Sequence, residues 1–291
     1  MTRLAKAPIA WLNDDMPEIS EGITLDTCLS EIRDIGYIGT ELGGSFPQDK
    51  VQLKQTLDAY KLKLVGGWFS GGLLSHSLEK EKELLGKEIE KRLYLDSDVI
   101  VFCECTGTVQ NTKKPLSSKP ILSVDEMKDF AKNYEQLCIF AKSKGVTLAY
   151  HYHMGTIIQT PEELDLFLSF CGPEVKITYD TGHTFFGGAD PLEILQKYYE
   201  RVHHVHLKDV RTEVKEEALL QDKSFLQSVL DGVYTVPGDG NIDFKPILQF
   251  LKDKDYQGWL VVEAEQDPKK ADPFTYAKQG YEYIKHLCTQ I

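Results

Sequence analysis

The sequence predicts a single closed (β/α)8 TIM barrel, an α/β fold in which eight parallel strands are each followed by a helix. Short apolar runs alternate with longer amphipathic runs eight times along 291 residues, an ordinary length for such a barrel. The apolar runs show little strict alternation, as expected for parallel strands that are buried on both faces. No linker divides the chain into halves, so we expect one domain over residues 1–291.

The candidate strands are rich in valine, isoleucine, tyrosine and tryptophan, which favour extended backbone. In chain order they are Lys6–Leu12, Tyr37–Leu42, Leu62–Phe69, Asp98–Cys105, Thr147–His153, Lys176–Asp180, Val202–Lys208 and Trp259–Glu265. A doubly wound open sheet is the alternative, but no glycine-rich turn follows the first strand.

The candidate helices lie between these strands and carry apolar residues at helical spacing. They are Leu25–Ile35, Lys50–Tyr60, Glu79–Leu95, Val124–Lys144, Glu162–Cys171, Pro191–Tyr199, Phe244–Lys252 and Pro273–Leu287. Thr160 followed by Pro161 predicts a capped helix start, and Asp190 with Pro191 repeats the pattern. Gly36 follows a helix end, where left-handed backbone is often required.

Two connections are long, Thr106–Ser123 and Arg211–Asp243. Both follow strands, so in a barrel both lie on the face that carries active sites. We therefore regard them as candidate lids over that face.

Charge and cysteine usage limit the partners and the compartment. The formal net charge of −12 disfavours a nucleic acid or an anionic membrane as partner. The six cysteines form no CxxC pair, which is typical of reduced thiols in a cytoplasmic protein. The sequence shows neither a signal-peptide core nor an apolar run long enough to span a membrane.

Polar residues of metal-ligand type occur at the ends of the last four strands. These ends read His151-Tyr152-His153, Asp180-Thr181-Gly182-His183, His204 to Asp209, and Glu263-Ala264-Glu265. One strand-end histidine is more often structural than a ligand, but four consecutive polar ends are costly unless they bind something. Nitrogen and carboxylate ligands without cysteine suit Mn²⁺, Co²⁺, Fe²⁺ or Zn²⁺ better than Ca²⁺.

Other strand ends offer groups that suit a polyol, namely hydroxyl-binding acids or amides beside aromatic faces. The candidates are Trp11, Asn13, Asp14, Asp15, Glu41, Trp68 and Glu104. Each has a structural alternative. Asp14 and Asp15 could cap a helix, Trp68 could be core, and the glutamates could bind backbone amides or bases.

The segments AYHYHMGT (149–156), YDTGH (179–183), HHVHLKDV (203–210) and VVEAEQDP (261–268) resemble the xylose-isomerase-like barrel superfamily. Together with APIAWLNDDMPE (7–18), TELG (40–43) and TVPGDGNIDF (235–244), they resemble the inosose dehydratases of myo-inositol catabolism. The resemblance extends from Ala7 to about Tyr276.

The resemblance implies four metal ligands. Asp180, His206 and Glu263 match the superfamily's ligands on the sixth, seventh and eighth strands. The fifth-strand ligand is usually glutamate, and His151 stands in its place; His153 is the alternative ligand. Mn²⁺ or Co²⁺ is the implied metal. The resemblance also suggests glutathione as a cofactor, which no residue indicates by itself.

The implied reaction converts 2-keto-myo-inositol (scyllo-inosose) to 3D-3,5/4-trihydroxycyclohexane-1,2-dione and water through a metal-stabilised enediolate. His153 is the candidate base, and His183, Lys208 and Glu265 are candidates for the acid. Lys208 could instead hold an enediolate oxygen, and Glu265 could bind substrate.

Two other functions remain open. An isomerase or epimerase would use the same metal and enediolate, although the His151/His153 pair favours a lyase. A non-catalytic polyol-binding barrel would need no base beside the metal. The expected partner is a small polyol ketone, and the resemblance is compatible with a homo-oligomer.

Overall fold

The structure, a computed structural model that describes residues 3–291, contains the predicted closed barrel of eight parallel strands. Residues 1 and 2 of the predicted domain lie outside the described residues. The strands are β1 Arg3–Lys6, β2 Gly39–Leu42, β3 Lys63–Gly71, β4 Val99–Glu104, β5 Thr147–His151, β6 Lys176–Asp180, β7 Val202–Leu207, β8 Asp209–Val210, β9 Tyr234–Thr235 and β10 Trp259–Val262. The barrel order is β1-β10-β7-β6-β5-β4-β3-β2, and β8 pairs with β9 in a separate antiparallel hairpin.

Helices surround the barrel. They are α1 Leu25–Ile35, α2 Lys50–Tyr60, α3 Leu78–Tyr94, α4 Val124–Ser143, α5 Pro161–Ser169, α6 Thr181–Phe186, α7 Pro191–Tyr198, α8 Thr212–Leu220, α9 Phe225–Leu230, α10 Phe244–Asp253 and α11 Pro273–Gln290. Within residues 3–291, none of the helices combines the length and the apolar character that crossing a membrane requires.

The predicted helix ends are present. The Thr160 side chain caps α5 by accepting a hydrogen bond from the Glu163 amide, and the Glu163 side chain accepts one from the Thr160 amide. Gly36 ends α1 with a φ of 113°, a left-handed conformation that favours glycine. Local hydrogen-bonding chemistry therefore fixes these boundaries.

Most predicted strands differ from the structure by one or more residues at an end, and the differences in three of them bear on the site. The first strand is Arg3–Lys6 rather than Lys6–Leu12, because the chain turns into a 3₁₀ helix at Pro8–Ala10 and proline cannot donate to the sheet. The fifth strand ends at His151 and the last at Val262, both earlier than predicted. His153, Glu263 and Glu265 therefore project from the segments that follow the strands.

The two long connections are joined to each other. Connection 211–243 contains α8, α9 and β9, and its Ser224 forms an isolated bridge with Pro115 of connection 106–123. The Leu116 amide donates to the Lys223 carbonyl at 3.2 Å, and Ser117 bonds the Asp222 carboxylate. The predicted lids are thus tied together beside the carboxyl ends of the strands.

Candidate active site

Four buried side chains meet where the adjacent strands β5, β6, β7 and β10 end; three lie on these strands, and Glu263 directly follows β10. The Asp180 Oδ2 atom lies 3.4 Å from His151 Nε2 and 3.5 Å from His206 Nδ1. His206 Nδ1 also lies 2.9 Å from Glu263 Oε2. The structure therefore brings together the four residues that the resemblance implied as metal ligands, and we call them the four-residue cluster.

The two carboxylate oxygens of Asp180 have different partners. Asp180 ends β6 and caps α6, and its Oδ1 accepts a hydrogen bond of 2.8 Å from the His183 amide. The amide of Asp180 in turn donates to the Tyr152 hydroxyl at 3.2 Å. Oδ2 is thereby left facing the two histidines of the cluster.

The cluster fits a divalent cation. The Nδ1 atoms of His151 and His206 are buried and form no hydrogen bond with any described residue. His206 Nδ1 lies 3.5 Å from Asp180 Oδ2 and 2.9 Å from Glu263 Oε2, so a cation could lie between the three atoms once this nitrogen is deprotonated. Two imidazoles and two carboxylates without a thiol form a suitable ligand set for Mn²⁺, Co²⁺, Fe²⁺ or Zn²⁺.

The electrostatics favour the ligand-competent forms of three residues. Burial would raise the pKa values of Asp180 and Glu263, but Lys208 and the neighbouring histidines hold both below their usual range. Burial lowers the pKa of His151 to about 4, so its imidazole is neutral near pH 7. For His206, burial is outweighed by Glu41 and Glu263, which raise its pKa well above its usual value.

A second group of buried side chains adjoins the cluster. Lys208 Nζ lies 2.8 Å from Glu265 Oε1, 2.5 Å from Glu263 Oε1 and 3.0 Å from His183 Nε2. These glutamates outweigh the effect of burial and raise the pKa of Lys208, which stays an ammonium group. Burial, followed by the charge of His153, lowers the pKa of His183 well below its usual value, so this imidazole is neutral.

His153 is separate from the four-residue cluster. Its Nδ1 lies 2.8 Å from the Met154 carbonyl, which can only accept, so Nδ1 carries the proton. In the neutral form of the ring the lone pair is therefore on Nε2, which lies 3.9 Å from Glu265 Oε1. The indole of Trp68 contacts the ring edge-on at 5.6 Å.

A cavity with about 730 Å³ of empty space, including its open mouth, lies over both groups. Its apolar wall comes mainly from the segment after β1, and its polar wall consists of Asp14, Asp15, Glu41, Gln110, His151, His153, His206, Glu263 and Glu265. Trp68 also lines it, as a wall residue. A cavity of this composition suits a small polyol.

Three predicted substrate-binding residues lie elsewhere. The Trp11 indole is buried and donates to Glu31 at 2.6 Å. The Asn13 side-chain oxygen accepts from two backbone amides of its own turn. Glu104 accepts from the amides of Leu73 and Thr106 at 2.8 and 3.1 Å. These side-chain atoms bind other groups of the protein, and none of the three residues lines the cavity.

Glu41 and Asp14 do line the cavity, and both also bind protein groups. Glu41 Oε1 accepts hydrogen bonds from His204 Nε2 at 2.8 Å and His206 Nε2 at 3.0 Å. These histidines outweigh burial and lower the pKa of Glu41 to about 2. Asp14 accepts from the Gly44 amide at 2.9 Å.

Two residues of the site were not predicted. The Tyr234 hydroxyl lies 3.0 Å from His183 Nδ1, and the Tyr234 ring lies 4.6 Å from Lys208 Nζ. Gln110 reaches the cavity from connection 106–123. The only signal for Tyr234 was its place just before the VPGDG segment, and Gln110 had none, because both belong to irregular connections.

The described geometry agrees with the similarity to known proteins. The family model of the xylose isomerase-like TIM barrel matches residues 18–287. The chain is 42% identical to inosose dehydratase of Geobacillus thermodenitrificans over 98% of this chain and 97% of that protein. It is 41% identical to inosose dehydratase of Clostridium tetani, with 97% and 96% covered. It is also 41% identical to rhizopine catabolism protein MocC of Rhizobium meliloti, with 98% and 88% covered.

Solved structures support the fold. The probable 3-DHS dehydratase AsbF of Bacillus anthracis has a TM-score of 0.72 at 15% identity, covering 98% of this chain and 99% of that one. A D-tagatose 3-epimerase-like protein has a TM-score of 0.67 at 17% identity, with 99% and 97% covered. At such identities the likeness concerns the barrel alone.

Proposed function

Because the chain belongs to the inosose dehydratase family of xylose isomerase-like TIM barrels and is an enzyme of the hydro-lyase class, we propose that it dehydrates 2-keto-myo-inositol to 3D-3,5/4-trihydroxycyclohexane-1,2-dione. The observation that carries the proposal is the position of His153. The Nδ1 atom of this imidazole is bonded to the Met154 carbonyl, and the ring lies beside the four-residue cluster at the wall of the cavity.

His151, Asp180, His206 and Glu263 would hold the cation, with Mn²⁺ or Co²⁺ as our assignment. A bound cation would supply positive charge that stabilises an enediolate of the substrate. Because the carboxylates are ionised and His151 is neutral, these side chains need no proton loss before binding, whereas His206 must release its Nδ1 proton.

His153 would remove the proton next to the ketone. Its Nδ1–H bond to the Met154 carbonyl fixes the tautomer and leaves Nε2 as the base. Trp68 packs against the ring and limits its rotation. The base is thus held in one orientation before the substrate arrives.

The leaving hydroxyl needs a proton, and the three acids considered from the sequence differ in what they offer. Glu265 is ionised because Lys208 and His153 outweigh its burial and lower its pKa. His183 is neutral, and its two ring nitrogens face Lys208 and Tyr234. Lys208 holds its proton tightly, which suits it to hold an enediolate oxygen as a charge.

Asp15 is better suited to act as the acid. It lines the cavity, and burial, with a smaller contribution from Glu265, raises its pKa to about 6. A carboxyl group with that pKa is protonated in part of the molecules near neutral pH. We therefore assign to Asp15 the proton that leaves with the β-hydroxyl as water.

Mass spectrometry of the product distinguishes the candidate functions. The metal-loaded enzyme with 2-keto-myo-inositol should yield a product lighter by one water, and the chelated enzyme should yield none. A product of unchanged mass would contradict the dehydratase and indicate an epimerase or isomerase. Binding without depletion of the ketone would indicate a sensor.

A further inference from the structure

Glu41 makes a contact that the proposed reaction does not require. It belongs to β2, which is separated from β7 in the barrel by β1 and β10, and it reaches the two histidines that alternate along β7. Its Oε1 atom accepts from both His204 Nε2 and His206 Nε2. One carboxylate oxygen thus receives two imidazole N–H groups.

This contact determines where the hydrogen atoms of His206 are. A carboxylate has no hydrogen to donate, so each imidazole must carry one on Nε2. The lone pair that His206 can offer is then on Nδ1, which points at Asp180 Oδ2 and Glu263 Oε2. We propose that Glu41 is a positioning residue that fixes Nδ1 of His206 as the nitrogen that binds a divalent cation. The inference rests on the metal site of the proposed function.

His204 holds the carboxylate in place. Its bond of 2.8 Å to Glu41 Oε1 leaves that oxygen little freedom to rotate away from His206. Gly66 provides the space, because a Cβ atom there would lie 3.1 Å from Glu41 Oε1 and 3.2 Å from His204 Nε2. Glu41, His204 and Gly66 therefore support the orientation of one ring.

The charge of Glu41 also strengthens the ligand. A carboxylate that accepts the second N–H of a metal-binding histidine makes the imidazole a better electron donor. The cluster has two carboxylates, and the anionic Glu41 behind His206 adds a third negative charge next to it.

Metal titration of Glu41→Ala and Glu41→Gln tests the inference. Affinity for Co²⁺ alone is measured from its visible absorption in substrate-free protein. We expect Glu41→Ala to weaken binding by about 10- to 100-fold. We expect Glu41→Gln to lose less, because the amide oxygen still accepts a hydrogen bond but carries no charge.

Glu81→Gln is the matched control. Glu81 is also a buried carboxylate on a histidine, with Oε1 2.5 Å from His76 Nδ1, but neither residue lines the cavity. The affinity of Glu81→Gln for Co²⁺ should equal that of the wild type. Nitrogen-15 NMR of the histidines in Zn²⁺-loaded protein gives an independent readout: His206 should show a protonated Nε2 and a metal-bound Nδ1, a pattern that Glu41→Ala should lose.

Unchanged Co²⁺ affinity and an unchanged His206 pattern in Glu41→Ala, with a raised KM, would overturn the inference and make Glu41 a substrate contact. The test of the positioning role can be distinguished from the test of the dehydratase activity. If the wild type does not dehydrate the ketone but Glu41→Ala weakens Co²⁺ binding, the dehydratase fails and the positioning role stands. If the wild type binds no Co²⁺, the positioning role fails.

Discussion

His151 and His153 are two residues apart in one sequence motif, yet they face different partners. His151 ends β5 with Nε2 at Asp180, while His153 follows the strand with Nδ1 fixed on the Met154 carbonyl. The sequence left open which of them binds metal. The geometry favours His151 as a ligand and His153 as a base, because His151 Nε2 faces the Asp180 carboxylate of the four-residue cluster, whereas His153 Nε2 faces Glu265 outside it.

Matched substitutions of the two histidines should separate these roles. His153→Gln should lower kcat by about 10²- to 10⁴-fold, the usual contribution of a general base, and leave Co²⁺ affinity within a few-fold of the wild type. His151→Gln should lower the affinity itself. Steady-state kinetics and Co²⁺ titration measure the two effects. The reverse pattern, with metal binding lost in His153→Gln alone, would exchange the two assignments.

Asp15 should make stability depend on pH. Its folded-state pKa of about 6 lies above the ordinary 3.8, so ionisation of Asp15 destabilises the folded protein relative to the unfolded chain. This destabilisation is absent below about pH 4 and reaches its full size above about pH 6. In metal-free protein, Asp15→Asn should therefore be equally stable at pH 4 and more stable than the wild type at pH 8, by on the order of 2 kcal/mol. Urea unfolding at the two pH values measures it.

The same substitution should lower kcat, because the amide has no acidic proton to give. Asp14→Asn serves as the control: it weakens the hydrogen bond from the Gly44 amide and should not gain stability at pH 8. If the difference in unfolding free energy between Asp15→Asn and the wild type is the same at pH 8 as at pH 4, the pKa of Asp15 is not raised.

At the scale of elements, the hairpin of β8 and β9 depends on one buried carboxylate. Asp209 accepts hydrogen bonds from the amides of Val210, Gly238, Gly240 and Ile242, all between 2.8 and 3.0 Å. These bonds shape the turn after β9, the strand that carries Tyr234 to His183. The turn therefore links the long connection to the second group of side chains.

Asp209→Asn replaces an oxygen acceptor with an N–H donor among these amides. Loss of bonds to a charged group and an unsatisfied donor should lower the free energy of unfolding by about 2–4 kcal/mol. Urea denaturation measures the loss. Asp243→Asn is the control, because asparagine caps a helix such as α10 as well as aspartate does. Equal stability of the two variants would contradict the role of Asp209.

The sequence predicted best the elements whose ends are determined by nearby residues. The bounds of α1 and α2 agree with the prediction, because caps and apolar spacing specify them. Helices α6, α8 and α9 were not predicted. They have only six to nine residues, and packing against the barrel stabilises such short helices more than their own sequence does.

At the scale of the whole molecule, the barrel explains how much of the site was predictable. Parallel strands place all their carboxyl ends at one face, so residue types at strand ends sufficed to predict where polar side chains converge, and the family resemblance selected Asp180, His206 and Glu263 among them. The bond between Glu41 and His206 joins residues 165 apart, and no local pattern encodes it. Tyr234 likewise depends on how a long connection folds back.

A divalent cation should link this site to the stability of the entire barrel. The four proposed ligands lie on or directly after four different strands, so only the folded chain presents them together. A ligand that binds the folded state alone stabilises it by about 2.7 kcal/mol at 100 times its Kd. For a protein of this size, that corresponds to a rise in Tm of roughly 4–5 °C.

Calorimetry with Mn²⁺ and with a chelator measures this shift. His206→Ala should abolish it, because the variant loses the nitrogen that lies nearest to both carboxylates. His286→Ala on α11, an exposed histidine bonded to Gln290, should keep it. If the wild type melts at the same temperature with Mn²⁺ as with the chelator, the four-residue cluster does not bind that cation. The neighbouring Lys208 ammonium would then be the main positive charge that keeps its carboxylates ionised.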